Sequence, residues 1–351
     1  MLSALNKPQT DPTPLFESFR GSYGTELLTA AVAHFNIFGR LAKNSLSANE
    51  LREELKLAER PAVVLFTALK AMGLLVEHEG QLRLTNLASE HLVPGGAFDV
   101  GDYVGLAANA PGVLEMVERL KTNRPTGADE GGTGAAFIYR EGVASAMESE
   151  DLARHFTLAL AGRAKNVAPM LAEAASLETS QVLLDVGGGT GIYSIACLQK
   201  HSHLRAIVLD RPEVLKVADE MAKAYGVADR LTLKAGDMFT DLESWQADPP
   251  DTILLSNILH DWDISECQRL VASCATLLPV GGRLLIHDVF LNDALDGPLP
   301  IALYSAALFT LTEGRAYSVA EYSRWLTDAG LTPQPVVPTL IHCGVLAGVK
   351  G

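Results

Sequence analysis

From Gln181 onward the chain alternates short apolar runs with helix patterns, and no other feature restricts its fold as strongly. "QVLLDV" opens the series and ends next to an acid, and "GGGTGIYSIACLQKH" then reads as a turn feeding a helix. "RAIVLD" closes on Asp210 and leads into the helix pattern "PEVLKVADEMAKAYG". "RLTLKAGD" runs to Asp237, "DTILLSNIL" is followed by a helix from about Ile264 to Leu277, and "GGRLLIHDVFL" is the fifth run. Apolar strands separated by helices need a parallel sheet covered on both faces, the doubly wound α/β class. The last two extended runs, "TPQPVVPT" and "LIHCGVLAGVK", are expected to form a terminal hairpin added antiparallel to that sheet.

Ligands of such sheets sit at the carboxyl ends of the strands. Polar groups collect there: Asp185 and the glycines after strand one, Asp210 after strand two, Asp237 after strand three, His260 after strand four, and Asp288 at the end of strand five. A single acid at a strand end is most simply a turn or cap residue, but five on one rim point to a site. The glycine loop "LLDVGGGTG" does not fit the dinucleotide fingerprint G-x-G-x-x-G. Gly187 and Gly189 match its first two positions, whereas the third is Ile192. It fits acid-x-G-x-G-x-G instead, through Asp185, Gly187, Gly189 and Gly191. In "LLSNILHDWDISECQRL" an ionisable imidazole, His260, stands where a buried strand hands over to a helix. The plain reading is a core histidine closing onto that helix. The functional one is a general base delivered to the rim, since an imidazole titrates near neutrality.

The N-terminal third reads as a helical module. Residues from about Pro14 to Leu41 carry apolar side chains at helix spacing, with Gly39 near the end. Ser47-Ala48-Asn49-Glu50 is a capping-box pattern. A helix is expected from Pro61, with Gly73 near its end, and "LLVEHEGQLRLT" alternates about Glu79-Gly80 as a hairpin does. This is a winged-helix order, yet the helix that would read DNA has a single charge, Lys70. It is apolar almost all round, which suits burial at a partner surface better than a groove. The region Ala97 to about Leu177 looks mainly helical, with a Gly-rich loop at Pro125–Phe137. In its second helix pattern His155, Phe156 and Leu160 fall on neighbouring positions, as core residues or as a pocket wall.

The 351-residue chain carries a net charge of -14, which argues against nucleic acid and against an anionic membrane surface. No apolar run is long enough to span a membrane, and the N-terminus lacks the pattern of a signal peptide. Cys197, Cys267, Cys274 and Cys343 have no metal-binding spacing, so reduced buried thiols and a cytoplasmic location are expected.

Taken with "LDRPEV", "GDMF", "LHDWD", "GGRLLIHD" and "EGRAYSVAEYSRWLTDAGL", the glycine loop carries a resemblance. Nearly the whole chain resembles the caffeic-acid and acetylserotonin type of small-molecule O-methyltransferases, including bacterial members acting on natural products. The resemblance implies a doubly wound, seven-stranded, Rossmann-like methyltransferase sheet with an N-terminal, mainly helical, winged-helix-like dimerisation domain. The expected divisions are 1–105 for dimerisation, 106–177 for a helical connector, and 178–351 for the cofactor domain. It implies S-adenosyl-L-methionine as cofactor, S-adenosyl-L-homocysteine as product, a small-molecule substrate, a homodimer, and no metal. The cofactor residues would be Asp185 on the ammonium, Gly187, Gly189 and Gly191 along the loop, Asp210 on the ribose hydroxyls with Arg211 beside it, and Asp237 on the adenine amino group. Gly236, Met238, Phe239 and Ser256 complete that set. His260 would be the base, oriented by Asp288 where plant relatives carry Glu. A second orienting acid of the plant enzymes aligns with Ala316, and Glu313 is the nearest substitute. Substrate residues would be His155, Phe156, Leu160, Asn257, Tyr304, Leu308 and Phe309, with Tyr23 of the partner subunit. Within the same fold, C- or N-methylation, including metal-assisted 2-oxo acid methylation with His287 as the nearby second histidine, stays an alternative. So do a relative that binds the cofactor without transferring methyl and, from another class, a winged-helix regulator.

Overall fold

The computed structural model describes residues 2–124, 150–242, 245 and 249–351. Two compact units interleave along the chain. One takes Met1–Phe16, Ala144–Phe290 and Val319–Gly351, and the other takes Glu17–Val143 and Leu291–Ser318. Linear boundaries at 105 and 177 therefore do not follow the units, and Leu291–Ser318, placed by sequence with the cofactor domain, groups with the helices. The reason is visible in "LPIALYSAALFTL": the helix Leu299–Leu311 has no polar face to show to water. It packs on helix Glu59–Ala71, whose middle is apolar.

In the helical unit the expected run from Pro14 to Leu41 is broken. Helix Gly24–Thr29 passes into a π turn at Ala30–His34, and Asn36 adopts a left-handed φ of 46° before helix Ile37–Leu41. Asn is among the few residues that tolerate this region. A Cβ on Gly39 would lie 2.3 Å from Asn36 Oδ1, so a larger residue there would have to displace the Asn36 side chain. Strands β1 (Leu75–His78) and β2 (Gln81–Leu84) pair antiparallel. Glu79 and Gly80 between them both have positive φ, as a type I′ turn needs. Helix Glu59–Ala71 buries Pro61, Ala62 and every residue from Val64 to Leu69 in its own unit. Its apolarity is thus explained without the partner surface assigned to it from sequence.

The capping box is formed. Ser47 Oγ accepts the Glu50 N–H at 3.2 Å, and Glu50 Oε2 accepts the Ser47 N–H at 2.7 Å, opening helix Ala48–Leu55. Ser47→Ala removes one of these bonds, and thermal unfolding should show a loss of about 1 kcal/mol. An unchanged melting temperature would mean that water caps this helix equally well.

The sheet unit matches the alternating pattern. Its strands are β3 (Val182–Val186), β4 (Arg205–Asp210), β5 (Leu231–Ala235), β6 (Thr252–Ser256), β7 (Arg283–Leu291), β8 (Leu331–Pro333), β9 (Val337–Pro338) and β10 (Cys343–Lys350). The order across the sheet is β9-β10-β7-β6-β3-β4-β5. β5, β4, β3, β6 and β7 are parallel, and β10 lies antiparallel to β7. The terminal hairpin is present: β8 and β9 are two pieces of one edge against β10. Pro333 and Pro338 on that edge have no N–H to offer another strand, which blunts it against pairing. β3 and β6 are buried along their whole length, as central strands covered on both faces must be. The long helix Glu150–Ala174 packs on helices Ile192–Lys200 and Pro212–Ala224. Among the described residues, no helix is long and apolar enough to cross a membrane. All four cysteines are buried and free of disulfides.

Candidate active site

The order of the sheet brings the carboxyl ends of β3, β4 and β6 side by side. After β3 the glycine loop turns sharply. Gly187, Gly189 and Gly191 all have φ between 60° and 69°. A Cβ on Gly187 would lie 2.5 Å from Ile258 Cδ1 and would have to push that side chain aside at a left-handed φ of 67°, whereas at Gly189 the space is open. The loop is tied to the next strand: Gly187 N–H donates to the Leu209 carbonyl at 2.8 Å, and Gly189 N–H donates to Asp210 Oδ2 at 2.8 Å. The other oxygen, Asp210 Oδ1, accepts the Arg211 N–H at 2.7 Å. Burial raises the Asp210 carboxyl above its usual range, against these two donors.

Asp185 sits beneath the loop, fully buried. Oδ2 accepts from the Ser194 hydroxyl at 2.7 Å, while Oδ1 has no partner. Burial pushes its pKa up to about 7. A Cβ on Gly188 would come within 2.7 Å of its Cγ, so the carboxylate supports the loop from below. The ammonium contact expected of Asp185 thus has one orphaned oxygen to work with, not an exposed carboxylate.

Beyond β5, Gly236 N–H donates to the Asp210 carbonyl at 3.0 Å. Asp237 is exposed, and its Oδ1 accepts the N–H groups of Phe239 and Thr240 at 2.8 and 3.2 Å. Met238 is half-buried. Phe239 is buried edge-on against Trp262, centroids 4.7 Å apart, so it belongs to the floor beneath the rim.

The stretch after β6 resolves the motif residue by residue. Asn257 leaves the strand with φ 56°, and its N–H donates to the His287 carbonyl at 2.8 Å. Leu259–Asp261 form one 3-10 turn that exposes neither Leu259 nor His260. Trp262 packs on Phe239, and Asp263 caps helix Ile264–Leu277 by accepting the Glu266 N–H at 2.9 Å. The helix is therefore capped by Asp263, which leaves His260 for another partner. Its Nδ1–H donates to Asp288 Oδ1, on β7, at 2.6 Å. That bond selects the tautomer in which Nε2 is the basic atom. Asp261 Oδ1 stands 3.6 Å from Nε2. Burial alone would lower the His260 pKa, but the carboxylates of Asp288 and Asp261 outweigh it and raise it. Burial likewise works against ionised Asp288, yet the imidazole and the Val289 N–H hold its pKa below the usual value. Asp261, whose burial dominates, is raised to about 6.

Two residues not picked out from the sequence join this cluster. Tyr322, on helix Val319–Asp328, donates its hydroxyl to Asp288 Oδ2 at 3.1 Å. Arg163, on helix Glu150–Ala174, donates to Asn257 Oδ1 and to Cys343 Sγ. Asn257 Nδ2 in turn donates to Ser256 Oγ at 3.0 Å, and Ser256 Oγ meets His287 Nδ1 at 2.8 Å. His287 is fully buried, and burial takes its pKa down to about 3. With Thr339 Oγ1 3.2 Å from Nε2, both its ring nitrogens are engaged by hydroxyls rather than turned toward His260. Among the described residues no group of acids, histidines and cysteines is arranged to hold a metal.

His155 and Leu160 are exposed on helix Glu150–Ala174, and the side chain of Phe156 lies outside the described residues. So does the Gly-rich loop at 125–137. Glu313, Tyr304, Leu308 and Phe309 belong to the helical unit. There Leu308 and Phe309 are buried, and Arg20 lies 4.1 Å over the Tyr304 ring. The Tyr23 hydroxyl, expected to reach a partner's pocket, accepts from Thr310 of its own chain at 3.3 Å.

Comparison with known proteins gives this geometry its family. The O-methyltransferase domain model matches residues 129–332. A 3-hydroxy-5-methyl-1-naphthoate 3-O-methyltransferase from Streptomyces sahachiroi is 37% identical over 344 residues, 97% of this chain and 95% of that protein. Bovine acetylserotonin O-methyltransferase is 28% identical over 248 residues, 70% of this chain and 69% of that one. The crystal structure of an O-methyltransferase family 2 protein from Planctomyces limnophilus DSM 3776, in complex with apigenin, is 48% identical. It covers 100% of this chain and 99% of its own, with a TM-score of 0.89. Sequence, sheet order and rim agree, and the chain belongs to the O-methyltransferase family.

Proposed function

We propose that this chain methylates a hydroxyl of a small aromatic molecule, with S-adenosylmethionine as donor and His260 as general base. One observation carries the reading: the His260 imidazole, in the turn after β6, and the Asp288 carboxylate, on β7 just past its last pair with β6, meet at 2.6 Å. The donor supplies, when bound, a methyl group on a sulfonium leaving group. What the chain must supply is a binding cradle, orientation and a place for one proton.

The residues of the rim fit that donor. The open space at Gly189 lies beside the Asp210 carboxylate, a natural acceptor for paired ribose hydroxyls. Asp185 Oδ1 is a buried acceptor lacking a donor, which an ammonium group would satisfy. The Arg163 guanidinium brings a positive charge to the end of β6, where a carboxylate is the complementary group. Asp237, Met238 and the floor at Phe239 would hold the adenine. Arg211, Gly236, Gly187, Gly191 and Ser256 would shape the walls.

A phenol loses its proton near pH 10, so at neutral pH it needs help to become a nucleophile. Nε2 of His260 would take that proton while Asp288 holds Nδ1. Asn257, His155 and Leu160 are the sheet-unit residues proposed to meet the acceptor. The homodimer belongs to the same proposal: Phe98, Tyr103 and Leu106 expose large apolar side chains on the helical unit, a surface that a second copy would cover. Sedimentation showing a monomer would remove that part.

The test combines titration calorimetry with label transfer. Uptake of S-adenosylmethionine is expected, followed by movement of its labelled methyl to the oxygen of a hydroxynaphthoate or hydroxyflavone. These probes are chosen from the names of the relatives above. Label found on carbon or nitrogen would favour the alternative chemistries. No heat with the sulfonium compound would overturn the donor.

A further inference from the structure

We propose that Tyr322 is a positioning residue of this site: through Asp288 it keeps His260 in the Nδ1–H form and holds down the proton affinity of the pair. The inference rests on His260 being the base.

The hydroxyl of Tyr322 donates to Asp288 Oδ2 at 3.1 Å, in the interior. Its ring is held edge-on by two neighbours, Phe290 with centroids 5.5 Å away and Trp325 at 5.3 Å. A ring clamped on two sides presents its hydroxyl in one direction. Asp288 has two oxygens to satisfy. Oδ1 is occupied by His260 Nδ1–H at 2.6 Å and by the Val289 N–H at 2.8 Å. Tyr322 attends to the oxygen facing away from the histidine. Without it, Oδ2 would be a buried charged oxygen short of a donor, or would pull the carboxyl over to find one. Either outcome costs the alignment of Oδ1 with Nδ1.

The direction of the electrostatic effect follows from charge. With the proton off, the His260–Asp288 pair carries one negative charge; with the proton on, it is neutral. A hydrogen-bond donor aimed at the carboxylate stabilises the more negative state more, whichever of the two groups binds the proton. Tyr322 therefore lowers the pH at which the pair gives up its proton, and makes Nε2 available nearer to neutrality. Other charges face the pair. Asp261, 3.6 Å from Nε2, raises its proton affinity, and Arg163, on the long helix, lowers it. His287, the β7 neighbour of Asp288, stays neutral and adds nothing. Asp261 thus works against Arg163, and Tyr322 is placed on the side of the cation.

Nitrogen NMR of the ligand-free protein with labelled histidine tests this without any substrate. The His260 signal is assigned by its disappearance in His260→Gln. Tyr322→Phe removes a single oxygen and keeps the clamped ring. It should raise the titration midpoint of the pair by about half a unit to one unit, the amount one hydrogen bond contributes. In an Asp288→Asn background the same substitution should leave the midpoint where it was, because its route is gone. A midpoint unmoved by Tyr322→Phe, with His260 still protonated on Nδ1, overturns the role of Tyr322 and leaves the base intact. A His260 protonated on Nε2 in the unsubstituted protein overturns both.

Discussion

His260→Gln should lower methyl transfer by about 10²- to 10⁴-fold, the usual contribution of a positioned general base, while leaving uptake of S-adenosylmethionine unchanged. The substitution is chosen for shape. A glutamine amide can still donate to Asp288 Oδ1, so the buried carboxylate keeps a partner, but it cannot take a proton. Initial rates of label transfer report the loss, and calorimetry with the donor shows whether the cradle survives. A decrease of less than tenfold would remove His260 from the chemistry and leave it as a packed histidine. The pH profile carries a second check. The carboxylates of Asp288 and Asp261 raise the His260 pKa despite burial, so its basic form is lost as pH falls through a value above the ordinary imidazole pKa of about 6.5. Stability moves differently. The raised His260 pKa contributes stability that is fully present below that ordinary value and fades as pH rises through the folded one. Asp288, whose pKa is lowered, contributes stability above the ordinary carboxylate pKa of about 3.9 and loses it as pH falls through its folded value. Activity should therefore decline on acidification while the His260–Asp288 contribution to stability is still intact.

The parts of this molecule that a linear reading captured are those written in local patterns. The five runs became five parallel strands; the central two, β3 and β6, were legible because a strand buried on both faces has to be largely apolar, whereas β5 at the edge of the sheet buries only Leu231. The Ser47–Glu50 box and the Glu79-Gly80 turn depend on neighbours a few residues apart, and both formed. His260 and Asp288 were found because one follows β6 and the other sits in β7 just past its last pair with β6, Ser256 with His287, where a parallel sheet gathers such residues from distant segments. Tyr322 carried no such mark. It lies in an amphipathic helix, where a tyrosine at a core position looks like packing, and only the fold shows its hydroxyl meeting an acid 34 residues earlier in the chain. Arg163 was overlooked for the opposite reason, since an arginine on a helix is ordinarily solvated. Leu299–Leu311 was assigned by chain order to the cofactor domain, although its all-round apolarity asked for burial among helices. The direction of Asp185 was not legible either: the loop spacing identifies the acid but does not say whether it points into the cradle or beneath it.

Asp210→Ala should weaken S-adenosylmethionine binding by about ten- to a hundredfold, a loss of the size expected for hydrogen bonds to a charged group. Two effects add. The proposed acceptor for the ribose hydroxyls disappears, and so does the anchor of the glycine loop, because Asp210 Oδ2 holds the Gly189 N–H at 2.8 Å and Oδ1 holds that of Arg211 at 2.7 Å. The fold itself should tolerate the change. Both N–H groups lie at the open rim, where water can replace the carboxylate, so thermal unfolding should move far less than the dissociation constant. Asp210→Asn separates the two effects. An amide keeps one acceptor oxygen and can hold either the loop or the ribose, but its nitrogen offers a donor where two N–H groups now find acceptors. Affinity should fall in the order Asp, Asn, Ala, measured calorimetrically with the same protein preparations used for label transfer. With donor in excess, the rate of transfer by Asp210→Ala should recover toward that of the unsubstituted protein, because the base at the end of β6 is untouched. An Asp210→Ala protein that binds the sulfonium compound as tightly as before would move the cradle away from β4, and the glycine loop would then be only the tight turn that Gly187 requires.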